Sequence, residues 1–282
     1  TSDLRGKGPP REVRRRAGAQ DGSVIDQQVA PEAPELLLGP MLRHVAATSA
    51  TLWVETSAPC SVRVEVGGGV LDAPVVAARD TWGVHGHHYA ILVVRGLPAA
   101  SELPYEVWLD AGGSRQRVWP PSHERSPELA AYPPSVVRTA GDDGRLRLAF
   151  GSCRRSEPLD AEGVAQVGPD ALVELAHRIA FGAPDHPSAP AVDGTSPAPV
   201  ADRPDVLLML GDQLYADEPS QAICERLEGA RRDPDVSEHP EVAREICTFE
   251  EYTWLYTESW SQPPVRWLLS TVPTAMILDD HD

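Results

Sequence analysis

Three short segments of this 282-residue chain collect the residue types that hold metals and move protons. They are Phe150-Gly151-Ser152-Cys153-Arg154, Gly211-Asp212-Gln213-Leu214-Tyr215-Ala216-Asp217 and Leu278-Asp279-Asp280-His281-Asp282. Cysteine, aspartate, tyrosine and histidine are all ligand types. Carboxylates crowded at one point repel one another and resist desolvation, and a multivalent cation removes both costs. Asp212 suits a bridge between two ions, because a carboxylate has two oxygens and Gly211 lets the backbone turn sharply beside it. Tyr215 offers a phenol whose ordinary pKa, near 10, makes it a ligand only for a strong Lewis acid such as ferric iron. A Cys153 thiolate fits the same metal. Arg154 and Arg155 can hold a substrate phosphate by bidentate contacts, with a salt bridge as the equal alternative for each. Asp217 and Glu218 are candidates to support the site or to cap the next element.

Each segment follows an apolar run: residues 146–150, 206–210 and 275–278. Residues 206–210 are apolar throughout, which predicts a strand covered on both faces. Pro169 is placed to open a helix whose apolar face is Leu172, Leu175, Ala176 and Ile179. Thr248 and Glu251 form a capping box ahead of Phe249, Tyr252, Leu255, Tyr256 and Trp260 at helical spacing. Residues 184–204 are rich in Pro, Ala and Ser and read as a mobile insertion. Strand, helix, strand, helices, strand predicts an α/β domain over residues 145–282. In such sheets ligands bind at the carboxyl ends of the strands, where the three segments lie.

Upstream the pattern is different. Residues 51–55, 62–66, 89–93 and 105–109 alternate apolar and polar, and Gly67-Gly68-Gly69 supplies a turn. This predicts an antiparallel β-sandwich over residues 35–140. Gly96-Leu97-Pro98 with Tyr105-Glu106-Val107 resembles the late-strand pattern of fibronectin III/Ig-like domains. His85, His87 and His88 precede a strand, and a solvated edge is favoured over a metal cluster. Residues 1–34, charged and without apolar periodicity, read as disordered. Residues 119–144, with five prolines, read as a linker.

A net charge of −17 argues against nucleic acid as a partner, which needs a basic face. No stretch approaches the length of a transmembrane helix. Arg14-Arg15-Arg16 is followed by Ala17-Gly18-Ala19-Gln20-Asp21 rather than an apolar run, so no signal peptide is visible and localisation stays open. Cys60, Cys153, Cys224 and Cys247 form no CxxC pair, and free thiols are favoured over a Cys224–Cys247 disulfide.

The three motifs together resemble those of the alkaline phosphatase D (PhoD-like) family of calcineurin-type metallophosphoesterases. Ser152-Cys153 stands where that family has its S-C motif, Gly211-Asp212-Gln213-Leu214-Tyr215 matches GD-x-[IL]-Y, and Asp279-Asp280-His281-Asp282 matches DDH-[DE]. The resemblance implies a small N-terminal β domain and a catalytic domain of which about half is present. It implies hydrolysis of phosphate mono- or diesters, phospholipids included, by a metal-bound hydroxide at a site holding Fe3+ and Ca2+. Cys153 and Tyr215 would hold iron, Asp212 would bridge, Asp280 would bind the second metal, and His281 would act as general acid on the leaving oxygen. A further acidic ligand is expected among Asp160, Glu162 and Asp170. The family's later His and Gly-His-x-His ligands do not appear before Asp282, which makes the catalytic domain incomplete by that standard. The competing expectation is a binding or adhesion module with a degenerate, inactive phosphoesterase portion.

Overall fold

The computed structural model describes residues 33–141, 144–155, 164–165, 168–182, 203–231 and 245–282. The expectations for residues 1–32 and 184–202, and for Asp160 and Glu162, lie outside these residues.

Strict alternation builds the sandwich. Its strands are β1 (Leu36–Val45), β2 (Ser49–Thr56), β3 (Ser61–Val66), β4 (Val75–Asp80), β5 (Trp82–Val84), β6 (His87–Arg95), β7 (Glu102–Ala111) and β8 (Ser114–Trp119). One antiparallel sheet runs β1-β2-β6-β5, the other β4-β3-β7-β8. Successive side chains point to opposite faces, so every second residue enters the core. Leu52 and Val54 of β2, Val62 and Val64 of β3, Leu92 and Val94 of β6, and Val107 and Leu109 of β7 are all buried. Gly67 ends β3 at φ +87° and donates to Pro104 O at 2.7 Å. A side chain there would overlap Leu71.

The stretch expected to be a linker is structured in part. It holds α1 (Pro127–Ala130) and β9 (Val136–Arg138), which pairs with β7.

The second part is a parallel sheet of β10 (Leu148–Gly151), β11 (Val206–Leu210) and β12 (Thr274–Ile277), in that order. Helix α2 (Ala171–Phe181) lies between β10 and β11 in the chain. Helices α3 (Gln221–Ala230), α4 (Phe249–Ser261) and α5 (Pro263–Thr271) lie between β11 and β12. Helix α2 starts two residues later than expected. The Asp170 carboxylate accepts from the Leu172 and Val173 N–H groups and makes Asp170 the cap, which leaves Pro169 ahead of the helix. Its fully buried face is Val173, Ala176, Ile179 and Ala180, with Leu172 and Leu175 partly covered. The capping box at α4 forms as expected, Thr248 and Glu251 bonding each other's backbone N–H groups.

The parallel sheet departs from the expectation of burial on both faces. Leu207 and Met209 are buried, but Leu148, Phe150, Leu210 and Ile277 project from the opposite face into solvent. Phe150 is 71% exposed and Ile277 58%.

The sandwich and the helices share one apolar core that runs from Leu52 and Val64 to Ala176, Val265 and Leu268. Polar contacts reinforce that junction. Arg266 donates from Nε to Gly39 O at 2.8 Å, Trp267 Nε1 to Pro133 O at 2.7 Å, and the Tyr105 hydroxyl to Ser270 O at 2.7 Å. All four cysteines are free. Among the described residues no helix is long and apolar enough to cross a membrane.

Candidate functional site

The parallel register brings the three strand ends side by side, and backbone hydrogen bonds tie their loops together. The Cys153 N–H donates to Gly211 O at 3.2 Å, Arg154 N–H to Asp212 O at 2.8 Å, and Ala216 N–H to His281 O at 2.9 Å. Gly211 sits at φ +90°, and a Cβ there would run into the Asp279 side chain. Cys153 (φ +58°) and Asp212 (φ +51°) also adopt left-handed backbone, which costs an ordinary L residue on the order of 1 kcal/mol. Such conformations persist where the surroundings enforce them, and they gather at functional sites.

Asp212 is the buried centre of the cluster, 6% exposed. Its Oδ2 accepts from the Cys153 thiol at 3.3 Å. Its Oδ1 is buried with no hydrogen-bond partner among the described residues. Asp212, Asp280 and His281 each offer one ligand atom, and these atoms lie within 4.8 Å of one another. The Tyr215 ring packs 4.7 Å from the His281 ring. Burial, then the nearby Cys153 and Asp212, push the Tyr215 phenol above its ordinary pKa. The cluster is thus short of positive charge.

His281 is braced by Asp217, whose two carboxylate oxygens each lie 2.8 Å from Nδ1. That carboxylate fixes the Nδ1–H tautomer and leaves Nε2 as the nitrogen with the lone pair. Its hydrogen bond raises the proton affinity of His281 and lowers that of Asp217 in return. Asp282 is a clamp. Its Oδ1 accepts from the Gln213 and Leu214 N–H groups at 2.7 and 3.1 Å, and its Oδ2 from the Asp279 N–H at 3.1 Å. Asp279 in turn accepts from the Asp280 N–H at 3.1 Å, which holds the loop.

Cys153, Asp212, Tyr215, Asp280 and His281 therefore meet, while Arg154 is placed otherwise. Its guanidinium bonds Asp170 from Nε at 2.9 Å and from Nη2 at 2.8 Å, Gln262 at 2.8 Å, and Ser259. The Arg154 side chain is buried and these donors are engaged within the chain, while the residue also lines the cleft beside Cys153. Asp170 is engaged by this pair and by its capping role, so it is not spare as a metal ligand. Arg155 pairs with Glu218 at 2.9 Å on the surface. Spacing did not reveal Asp217 as the partner of His281 or Asp170 as the partner of Arg154. The first pair is separated by 64 residues and the second by 16. Beside Cys153 a cleft of about 240 Å³ opens between Gly151, Pro169, Leu172, Met209 and Gln213.

A family model described as a domain of unknown function, DUF7800, matches residues 33–131. That match covers the sandwich and stops short of every residue of the cluster. No curated protein matches the chain. Among solved structures, the Br derivative of BhCBM56 aligns over 29% of this chain and 90% of its own, at 14% identity and a TM-score of 0.19. A cyclomaltodextrinase aligns over 65% of this chain and 33% of its own, at 10% identity and a TM-score of 0.27. The pullulanase from Anoxybacillus sp. LM18-11 aligns over 85% and 33%, at 9% identity and a TM-score of 0.20. The alignments thus span about a third of the length of the last two proteins. At these scores the alignments carry nothing about fold or activity.

Proposed function

We propose that the strand-end cluster is part of a metal-dependent phosphoester hydrolase site of the PhoD-like kind. The observation that carries this reading is the buried Oδ1 of Asp212, without a hydrogen-bond partner among the described residues, on a side chain that clusters with Asp280 and His281. A buried carboxylate oxygen without a donor is costly, and a cation satisfies it. The donor set fits: Asp212 and Asp280 offer hard oxygens, and Cys153 and Tyr215 add a thiol and a phenol beside them. Iron and calcium follow from the resemblance. A bound cation supplies Lewis-acid polarisation of water and of the phosphoryl oxygens.

The remaining roles belong to the chain itself. Asp212 is held rigid by the Gly211 turn and the Cys153 contact. His281 has one nitrogen committed to Asp217, so its Nε2 either coordinates or carries a proton, not both. The raised proton affinity favours the proton, and a protonated Nε2 can donate to a leaving alkoxide. Asp282 fixes the backbone of Gln213 and Leu214, next to Asp212, so that the Asp212 carboxylate does not drift. Arg154 positions the Cys153 loop through Ser259 of α4 and Gln262 just beyond it. The cleft beside Cys153 has room for the organic half of an ester.

The test is hydrolysis of p-nitrophenyl phosphate and its bis ester by the protein loaded with Fe3+ and Ca2+. The expected result is turnover that Asp212→Asn reduces at least about a hundredfold. Equal rates for the two proteins on both esters would sink the hydrolase reading.

A further inference from the structure

His87, at the start of β6, joins the sandwich to α4. Its Nδ1 lies 2.6 Å from Glu55 Oε1 and its Nε2 2.9 Å from Glu250 Oε2. Glu55 is a buried residue of β2, and Glu250 stands in the first turn of α4. The ring is boxed in as well. Tyr89 stacks on it at 6.2 Å and Phe249 meets it edge-on at 5.5 Å. Trp254 Nε1 donates to Glu250 Oε1 at 2.9 Å and fixes the carboxylate facing the ring.

A neutral imidazole has one N–H and one lone pair. With a carboxylate against each nitrogen, the neutral ring must set its lone pair against an oxygen lone pair. The imidazolium instead donates to both, and bonds to ionised partners are the strong ones. The geometry therefore selects the charged ring.

We propose that His87 is a proton-operated latch, clamping the first turn of α4 onto the sandwich when its ring is charged and releasing it when neutral. Burial opposes charging the ring, but Glu250 and Glu55 together outweigh it and raise its proton affinity above that of an ordinary histidine. Glu250 is lowered, first by its bond to His87 and then by Trp254. Because the folded-state value is raised, the clamp is complete below the ordinary histidine pKa of 6.5 and is lost as pH rises through the raised one. Among the described residues, the other charged or titratable groups facing this contact include Arg226, which stacks over Trp254 at 3.9 Å and also lowers Glu250, the Tyr89 phenol, and His85, whose ring packs 5.5 Å from Phe249. Burial pushes Tyr89 up to about 12, so it stays neutral across the window. Ser259 of α4, and Gln262 just beyond it, hold Arg154 beside Cys153, so the latch acts on the helix that also supports the strand-end cluster.

The test combines an NMR titration of the His87 ring with hydrogen exchange of the backbone amides of residues 249–256, corrected for intrinsic rates, between pH 6 and 9. The expected result is a His87 midpoint above 6.5 and a several-fold fall in protection across that range. In Glu250→Gln, a change at a half-exposed side chain, protection is expected to be reduced and flat with pH. The proposal is overturned if wild-type protection does not change with pH. It is equally overturned if the fall persists unchanged in both Glu250→Gln and His87→Gln.

Discussion

The two sheets of the sandwich bury their apolar faces against each other, whereas among the described residues the parallel sheet is covered on only one of its two faces. Along β6 the buried Ala90, Leu92 and Val94 alternate with the exposed Ile91, Val93 and Arg95. Along β10 and β12 the side chains away from the helices, Leu148, Phe150 and Ile277, stand in solvent. Parallel sheets are ordinarily covered on both sides. Stability and chemistry are thus divided in this molecule. The sandwich, with α5 docked on it, supplies the core. The parallel sheet presents its strand ends, and these are held by hydrogen bonds such as those of Asp282 rather than by enclosure.

Truncations on the two sides of this division should differ sharply. Leu92→Ala, at a fully buried sandwich position, is expected to cost about 3 kcal/mol in chemical denaturation. An intermediate effect is expected at the α4 cap. Glu251 accepts from Arg231 Nε and Nη2, both at 2.8 Å, and from the Cys247 and Thr248 N–H groups. Arg231 first, then these backbone donors, hold its carboxyl down to about 2 despite its burial. Glu251→Gln should cost about 2 kcal/mol near neutral pH. A depressed carboxylate contributes stability that is present above its ordinary pKa of 4.5 and is lost as pH falls toward about 2. The variant should therefore lose less stability than wild type over that acid range. The smallest change is expected at Phe150→Ser, within about 0.5 kcal/mol of wild type, with weaker binding of a hydrophobic dye. A loss of several kcal/mol at Phe150 would show that the open face is covered in solution and would erase the contrast.

The same division governs what the sequence displays. Strands β2, β3, β6 and β7 are legible because each has one face in the core and one outside. β1 is not, since register shifts at Leu38 and Met41 interrupt its alternation. β4 is not either, since its burial fades toward Asp80. The apolar run at 206–210 marks a strand correctly but overstates its cover, because composition reports what a face prefers and not what lies on it. Within the cluster, residue types and local spacing were enough to find Cys153, Asp212, Tyr215, Asp280 and His281. The role of Arg154 was hidden because Ser259 and Gln262 reach it from more than 100 residues away. His87 was read as a solvated edge residue, yet Glu250 bonds it from 163 residues along the chain.

The proposed cation site rests on the buried Asp212 carboxylate oxygen, which has no hydrogen-bond partner among the described residues. Isothermal titration of the metal-free protein with Fe3+ (as a weak chelate) and with Ca2+, compared with Asp212→Asn, tests it most directly. Saturable binding is expected, weakened at least about tenfold by Asp212→Asn with the fold intact by circular dichroism. Binding of equal strength in both proteins, or none in either, would contradict it.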